Sequence, residues 1–342
     1  LEQELSKQLK KTGSEKANGI IVNPYNGEIL ALATVPSFNL NQNFRDDEQY
    51  RDYVSFYNYE PGSTLKAFSI LAGIKNEKIL LSDEYYCEKG KYYMPDIRRT
   101  IVDHDPYDTL SVKEILAYSS NIGMTKIASD IGKTDIYKMF KSVGFGQKTG
   151  LNSYNEEAGN LKKIESWDKH SLISISIGQE LQVTNLQIAM AYSAIANGGY
   201  LLKPQIIKEV SNAEIDNVSI IRKIANQDHL DLLIDALKMA VSDGTASYLA
   251  NDDFCSYGKT GTAQVFDKNI GDNGGYSDSI FISSYVSVFP CKKPKLVCVV
   301  SFLEPDEEKK YASETAVPAM KKILNRILIK DQYLFEIADE SK

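Results

Sequence analysis

Cysteine, histidine and tryptophan are scarce in this chain of 342 residues, which contains 4, 3 and 1 of them. Cys87, Cys255, Cys291 and Cys298 form no C-x-x-C pair, so the sequence argues against a zinc site. Cys291 and Cys298 flank a short polar segment and would face each other if that segment turned a hairpin. We expect instead that they are two unpaired buried thiols.

An excess of positive charge and long apolar runs are also missing. The 39 lysines and arginines are outnumbered by 46 aspartates and glutamates, which gives a net charge of -7. A nucleic-acid-binding domain normally shows a basic stripe, so no nucleic acid is expected as a partner. A membrane-spanning helix needs about 18 or more apolar residues in a row, and no such run occurs. Residues 1–5 do not have the pattern of a signal peptide either.

The most informative stretch is a serine followed three residues later by a lysine. Pro61 and Gly62 interrupt any preceding element and an apolar run follows, so a helix is predicted to begin near Ser63. On a helix, Ser63 and Lys66 share one face, and a desolvated lysine amine can take the proton of a serine hydroxyl. The alternative is that Ser63 or Thr64 caps the helix while Lys66 is solvated.

Two further motifs favour the interpretation of Ser63 and Lys66 as a reactive pair. Ser119-Ser120-Asn121 follows it, and Lys259-Thr260-Gly261-Thr262 comes later in the chain. S-x-x-K, S-x-N and K-T-G in this order are the signature of serine acyltransferases that react with penicillin. The chain therefore resembles the transpeptidase domain of class B penicillin-binding proteins. The resemblance covers nearly the whole chain and includes residues 23–31, 176–179 and 183–187.

The resemblance implies an α+β fold of the serine acyltransferase, β-lactamase-like type, with a five-stranded antiparallel sheet covered by helices and an all-helical lobe. The pattern of the chain agrees, because strands are predicted at both ends and helices in the middle. Residues 1–17 are predicted to be the remnant of an upstream linker and residues 18–342 a single transpeptidase domain. The parent protein is expected to carry a membrane anchor upstream and to act on the extracytoplasmic, periplasmic side of the cytoplasmic membrane.

Local patterns predict the main elements. Capping boxes at residues 111–114 and 184–187 each predict the start of a helix, and Ser119 and Asn121 are expected in the loop after the first. Alternation along a strand would place Lys259 and Thr260 on opposite faces, so both reach one site only if this strand lies at the edge of a groove. The other predictions are a hairpin at 19–33, helices at 226–242 and 313–328, and strands at 256–266, 280–289 and 296–303.

The resemblance also implies a catalytic role for several motif residues. Ser63 would attack the penultimate D-alanine carbonyl of a peptidoglycan stem peptide, with Lys66 as the base. Ser119 would relay a proton to the leaving amine, and Asn121 would position Lys66 or bind the donor amide. Lys259 would supply positive potential.

Recognition and oxyanion stabilisation are assigned in the same way. Thr260 would offer a hydroxyl to the terminal carboxylate of the substrate, and Gly261 would let the substrate approach the backbone. The backbone N–H groups of Ser63 and Thr262 would form the oxyanion hole. No cofactor and no metal is implied.

The predicted function is a peptidoglycan D,D-transpeptidase that joins a D-Ala-D-Ala donor to an amine acceptor through a serine acyl-enzyme. β-Lactam antibiotics mimic the donor and are expected to acylate and inhibit it; division or elongation complex proteins are the expected partners. Residues 102–107, and the absence of an Asp-His-Ala-Trp-like stretch at 277–281, favour the septal branch. The alternatives are a D,D-carboxypeptidase or β-lactamase-type hydrolase, and a non-catalytic binding module of the division complex.

A few residues depart from the family pattern or suggest other chemistry. Ala67 stands where proline is usual, and Glu180 and Ser313-Glu314 stand where glycine is usual. Glu180 is expected to be a surface helix cap, with a place beside the groove as the alternative. Asp103-His104-Asp105 could belong to a metal site or a triad, and Glu156-Glu157 could supply the deacylating carboxylate of a β-lactamase. Both acidic segments are expected to be structural.

Overall fold

A computed structural model describes most of the chain, namely residues 1–39, 41, 52–151, 155–210, 213–214, 218–250, 255–267, 270 and 275–330. Part of the loop predicted after residue 36 and residues 331–342 of the predicted domain therefore lie outside the described residues. No described helix combines the length and the apolar character that crossing a bilayer requires.

The helices predicted near Ser63 and at residues 111–114, 184–187, 226–242 and 313–328 are formed, within a few residues. The described residues contain ten α-helices in all. They are α1 (Glu2–Thr12), α2 (Tyr53–Phe56), α3 (Lys66–Lys75), α4 (Val112–Tyr118), α5 (Asn121–Ile131), α6 (Lys133–Ser142), α7 (Lys169–Ser176), α8 (Asn185–Ala196), α9 (Gln227–Ser242) and α10 (Ala316–Lys330). Both predicted capping boxes are formed, by Ser111 with Glu114 at α4 and by Thr184 with Gln187 at α8.

The strands form one large sheet and four small ones. They are β1 (Lys16–Val22), β2 (Ile29–Val35), β3 (Glu84–Tyr86), β4 (Lys91–Met94), β5 (Arg99–Val102), β6 (Thr109–Ser111), β7 (Tyr200–Leu202), β8 (Glu209–Val210), β9 (Ala213–Glu214), β10 (Ile220–Lys223), β11 (Tyr257–Asp267), β12 (Gly275–Phe289) and β13 (Leu296–Leu303). The large sheet is antiparallel with the order β11-β12-β13-β1-β2, so strands from both ends of the chain meet in it and β11 lies at one edge.

Both faces of the large sheet are buried, and alternate residues of each strand belong to different cores. Along β13, Val297 and Val299 face the core that contains α3 and α8, whereas Cys298 and Val300 face the core of α1 and α10. The period of two follows from the pleat of the strand. The remaining helices α4–α7 and α9 pack around α3, which is buried from Lys66 to Ile74. This is the predicted five-stranded sheet with a helical lobe.

The N-terminal helix α1 is packed onto the large sheet. Leu5 is fully buried among residues of α10 and the sheet, and the α1 carboxylate of Glu4 accepts a hydrogen bond from Arg326 of α10 at 2.7 Å. The boundary predicted at residue 17 falls inside β1, which begins at Lys16 and pairs with β13 along its whole length. Residues 2–12 therefore share the core of the domain.

The prediction that Cys291 and Cys298 are two unpaired buried thiols is wrong for Cys291 and confirmed for Cys298. Cys291 forms a disulfide with Cys255, across a sequence separation of 36 residues. The two residues lie together because β11 and β12 pair in an antiparallel way. Cys255 lies shortly before the start of β11, and Cys291 lies shortly after the end of β12. Cys298 is the buried free thiol that was expected, and Cys87, for which nothing was predicted, is a buried free thiol as well. The register of β13 points Cys298 into the α1–α10 core, away from any partner sulfur.

Candidate active site

Ser63 lies in a single 3₁₀ turn, Gly62–Leu65, that leads directly into α3. The predicted helix is therefore present, but its α-helical part begins at Lys66. Within residues 61–74, Ser63 is the one residue that is not buried. The turn thus presents the serine hydroxyl at the surface of the helical core, on a support that is otherwise closely packed.

Two glycines let other segments approach this turn closely. The Gly62 N–H donates to the Gly178 carbonyl at 3.1 Å, and a Cβ on Gly178 would lie 2.0 Å from the Gly62 oxygen. On the other side, a Cβ on Gly261 would lie 2.6 Å from the Pro61 oxygen. Gly261 therefore makes room for the turn that carries Ser63, and its role in admitting substrate stays a prediction.

Lys66 is fully buried and is held by the second motif. Its Nζ donates to the Ser119 carbonyl at 2.6 Å and to Asn121 Oδ1 at 2.7 Å, with Ser119 Oγ at 3.3 Å. The alternative of a solvated lysine is therefore wrong. Burial lowers the pKa of Lys66 to about 7, although the negative charge of Asp103 acts in the opposite direction. An amine with this pKa exchanges protons readily near neutral pH.

The second motif forms the junction between α4 and α5. Ser119 ends α4 in the left-handed conformation with φ 65°, and the Ser120 hydroxyl caps α5 through the Gly123 N–H. Asn121 is the first residue of α5, so the expectation that it lies in a loop is wrong by one position. The tight turn at Ser119 directs both its carbonyl and its hydroxyl toward the Lys66 ammonium.

The third motif occupies the edge strand β11, as its role requires. Lys259 is fully buried, and its Nζ lies 3.4 Å from both the carbonyl and the hydroxyl oxygen of Thr260. The Thr260 hydroxyl is also 2.6 Å from that of Thr245, in the segment after α9. Burial and the neighbouring charge of Lys66 hold the pKa of Lys259 well below its usual value. The two lysines therefore face the same small region.

The acidic residues that suggested other chemistry have structural partners. Glu156 is buried, and its carboxylate accepts hydrogen bonds from the Thr149 hydroxyl at 2.5 Å and from the Thr149 N–H. Glu180 adopts a φ of 58°, which explains why glycine is usual there, and its carboxylate binds Lys162 at 2.9 Å and the Ser171 hydroxyl at 3.0 Å. Helix α7 is capped by Asp168 instead.

Residues outside the three motifs complete the site, and no motif could have revealed them. The Tyr192 hydroxyl of α8 donates to the Thr64 carbonyl at 2.7 Å and so supports the turn that carries Ser63. Glu60 accepts from the Glu180 N–H at 3.1 Å, and burial raises the pKa of its carboxyl group to about 7. Asp103 accepts two hydrogen bonds from the second motif, from Ser120 and Asn121, and a third from the Ile122 N–H.

Three motifs that meet beside the edge of a five-stranded antiparallel sheet define a serine acyltransferase fold. Residues 19–325 match the family model of the penicillin binding protein transpeptidase domain, and the chain belongs to this family. The class B prediction made from the motifs is confirmed by the relatives that it matches.

Curated relatives of the chain carry the name peptidoglycan D,D-transpeptidase. The chain is 29% identical to the probable peptidoglycan D,D-transpeptidase PenA of Neisseria meningitidis over 94% of its own length and 53% of that protein. It is 26% identical to a peptidoglycan D,D-transpeptidase FtsI homolog of Mesostigma viride over 94% of this chain and 58% of that protein. The chain thus spans little more than half the length of these relatives.

Solved structures share the fold. Penicillin binding protein 3 of Mycobacterium tuberculosis, solved in complex with aztreonam, superimposes with a TM-score of 0.85 at 22% identity. The match covers 97% of this chain and 76% of that one. At this identity the likeness establishes the fold.

Proposed function

We propose that this chain is the catalytic domain of a peptidoglycan D,D-transpeptidase that works through an acyl-enzyme on Ser63. The observation that carries the proposal is the surroundings of Lys66. A buried amine with a pKa of about 7 is held by Ser119 and Asn121, three residues from a serine that is half-buried on a turn whose other residues are buried. Such an amine is suited to remove the proton of an attacking hydroxyl.

In the first half-reaction, neutral Lys66 takes the proton of the Ser63 hydroxyl as Oγ attacks the penultimate D-alanine carbonyl. The backbone N–H groups of Ser63 and Thr262 stabilise the oxyanion, and donors of this kind contribute roughly 3 kcal/mol each. The C–N bond then breaks, the proton passes from Lys66 through Ser119 to the departing amine, and D-alanine leaves. The stem peptide remains bound to Ser63 as an ester.

In the second half-reaction, the acceptor amine attacks this ester, loses a proton to Lys66 and forms the new amide, while Ser63 regains its proton. Lys259 and Thr260 bind the terminal carboxylate of the donor. An anion beside Lys259 raises the pKa of that lysine, so binding and protonation favour each other. A β-lactam undergoes the same first attack, but its ring-opened amine stays attached and the acyl-enzyme persists.

The site of action follows from the chemistry. Peptidoglycan lies outside the cytoplasmic membrane, and the Cys255–Cys291 disulfide fits an oxidising extracytoplasmic compartment. We assign the domain to a longer protein that is anchored in the membrane upstream. The names of the curated relatives include FtsI, which favours septal synthesis with division proteins as partners.

The test is the intact-protein mass after incubation with a simple penicillin, followed for an hour in the parent protein and in Ser63→Ala. A stable adduct of one drug mass that is absent from Ser63→Ala supports the proposal. Hydrolysis of the drug without an adduct favours the β-lactamase or D,D-carboxypeptidase alternative. If a folded protein shows neither an adduct nor hydrolysis of the drug, the proposal is contradicted and the binding-module alternative is favoured.

A further inference from the structure

The surroundings of Asp103 suggest a role that the three motifs do not contain. Asp103 lies just after β5 and is 7% exposed. One carboxylate oxygen, Oδ1, accepts hydrogen bonds from the backbone N–H groups of Asn121 at 2.5 Å and Ile122 at 3.0 Å. The other, Oδ2, accepts from the Ser120 hydroxyl at 2.5 Å. A single carboxylate therefore binds three successive residues at the start of α5.

These bonds connect Asp103 to Lys66 through one residue. Asn121 gives its backbone N–H to Asp103 and uses its side-chain oxygen to bind Lys66 Nζ at 2.7 Å. If the N-terminus of α5 moved, the Asn121 oxygen would move with it. Carboxylates at helix N-termini satisfy donors that have no partner within the helix. Here one of the satisfied donors belongs to Asn121, the residue that contacts the proposed base.

We propose that Asp103 is a positioning residue for the reaction of Ser63: it fixes Asn121 against Lys66 and keeps a negative charge beside the buried ammonium. This inference rests on the proposed function, because it assumes that Lys66 acts as the base. It also explains why an acidic residue precedes the second motif without touching the nucleophile.

The electrostatic part of the role has a definite sign. The charge of Asp103 raises the pKa of Lys66, against the larger lowering by burial. Lys259, on β11, is the charged group that acts on Lys66 from the strand side. The charge of Asp103 also raises the pKa of Cys87 and of Tyr107. Neutral Lys66 is the reactive form, so acylation should be lost as the pH falls through the Lys66 pKa. Without the charge, this loss should occur at a lower pH.

The experiment measures the rate of acylation by a chromogenic β-lactam against pH in the parent protein, Asp103→Asn and Asp103→Ala. Asp103→Asn can keep the two backbone hydrogen bonds while it removes the charge. We expect the acid limb of its pH–rate profile, where acylation is lost as the pH falls, to lie at a lower pH than in the parent protein. Asp103→Ala removes the bonds as well, and its maximal rate should fall on the order of 10- to 100-fold.

Asp168→Asn is the matched control. Asp168 also caps a helix, accepting from the Ser171 N–H at 2.7 Å, but its charge is not one that shifts the pKa of Lys66. Its acid limb should coincide with that of the parent. Thermal unfolding of every variant checks that the fold is retained.

The outcomes separate the two proposals. If the parent protein is not acylated, the proposed function fails. If the parent is acylated but Asp103→Asn keeps the parental acid limb, the electrostatic role is overturned. If Asp103→Asn does not fold, Asp103→Glu decides the matter: it retains the charge in a displaced position, so a parental limb with a reduced rate supports the role and a parental rate overturns it.

Discussion

Lys66 and Lys259 are both fully buried and face each other, yet the two sides of the candidate site hold them differently. On the helical side, Lys66 has acceptors at 2.6 and 2.7 Å and the charge of Asp103 nearby. On the strand side, the contacts of Lys259 Nζ with Thr260 are both 3.4 Å long. Hydrogen bonds of 2.6 to 2.7 Å are strong, whereas those of 3.4 Å are weak.

The difference indicates that the helical side serves proton transfer and the strand side serves substrate binding. The helical side is fully bonded without any substrate, which is what a group that moves protons in a fixed geometry requires. The strand side has a buried lysine amine with weak partners, and its protonated form gains most when an anion binds. Loss of the first lysine should therefore affect the chemical step, and loss of the second should affect recognition.

Lys66→Met should have the largest effect on acylation. The side chain keeps much of its volume but cannot accept a proton, and general-base contributions are on the order of 10²- to 10⁴-fold. We expect the maximal acylation rate to fall by roughly 10³-fold, while the drug concentration for half-maximal rate changes little. Stopped-flow measurement with a chromogenic β-lactam gives both quantities.

Lys75→Met is the control, because Lys75 ends the same helix and donates to the Ile224 carbonyl away from the motifs. It should acylate at the parental rate. A Lys66→Met protein that is folded and acylates as fast as the parent would contradict the assignment of the base.

Lys259→Ala should have an intermediate effect of another kind. A hydrogen bond to a charged group contributes about 1.5 to 3 kcal/mol, which corresponds to roughly 10- to 100-fold in affinity. We expect the β-lactam concentration for half-maximal rate to rise by that factor and the maximal rate to fall less. Lys292→Ala, in the exposed turn after β12, is the control. A decrease confined to the maximal rate would contradict the division between the two sides.

Removal of the disulfide should have the smallest effect on acylation. The double change Cys255→Ser and Cys291→Ser opens a loop with a sequence separation of 36 that contains the whole of β11 and β12. Disulfides closing loops of this length stabilise proteins by about 2 to 4 kcal/mol, so the free energy of unfolding should fall by that amount. Denaturant titration measures it.

The same double variant also tests the comparison of the two sides. Because β11 remains paired with β12, the maximal acylation rate should stay close to that of the parent. Cys298→Ser, at a buried thiol in the core of α1 and α10, is the control for the loss of sulfur. A large fall in the maximal rate would show that the strand side takes part in the chemical step.

Much of the fold follows from local patterns. The capping boxes at Ser111 and Thr184 are formed as predicted, because their partners lie only three residues away in the chain. The final strands were also predicted, since runs of β-branched residues between turn signals are a local property. The exact start of α3 was not predicted, because the 3₁₀ turn at Gly62–Leu65 depends on contacts with Gly178 and Gly261.

The sequence by itself determined the family, the three motifs and the order in which they occur, because these are properties of residue type and spacing. The tertiary structure decided that Lys66 is buried and bonded to Asn121, that Cys255 pairs with Cys291, and that Asp103 supports the second motif. Each of these joins segments that are separate in the chain: packing within the helical lobe brings Lys66 and Asp103 to the second motif, and the pairing of β11 with β12 brings the two cysteines together.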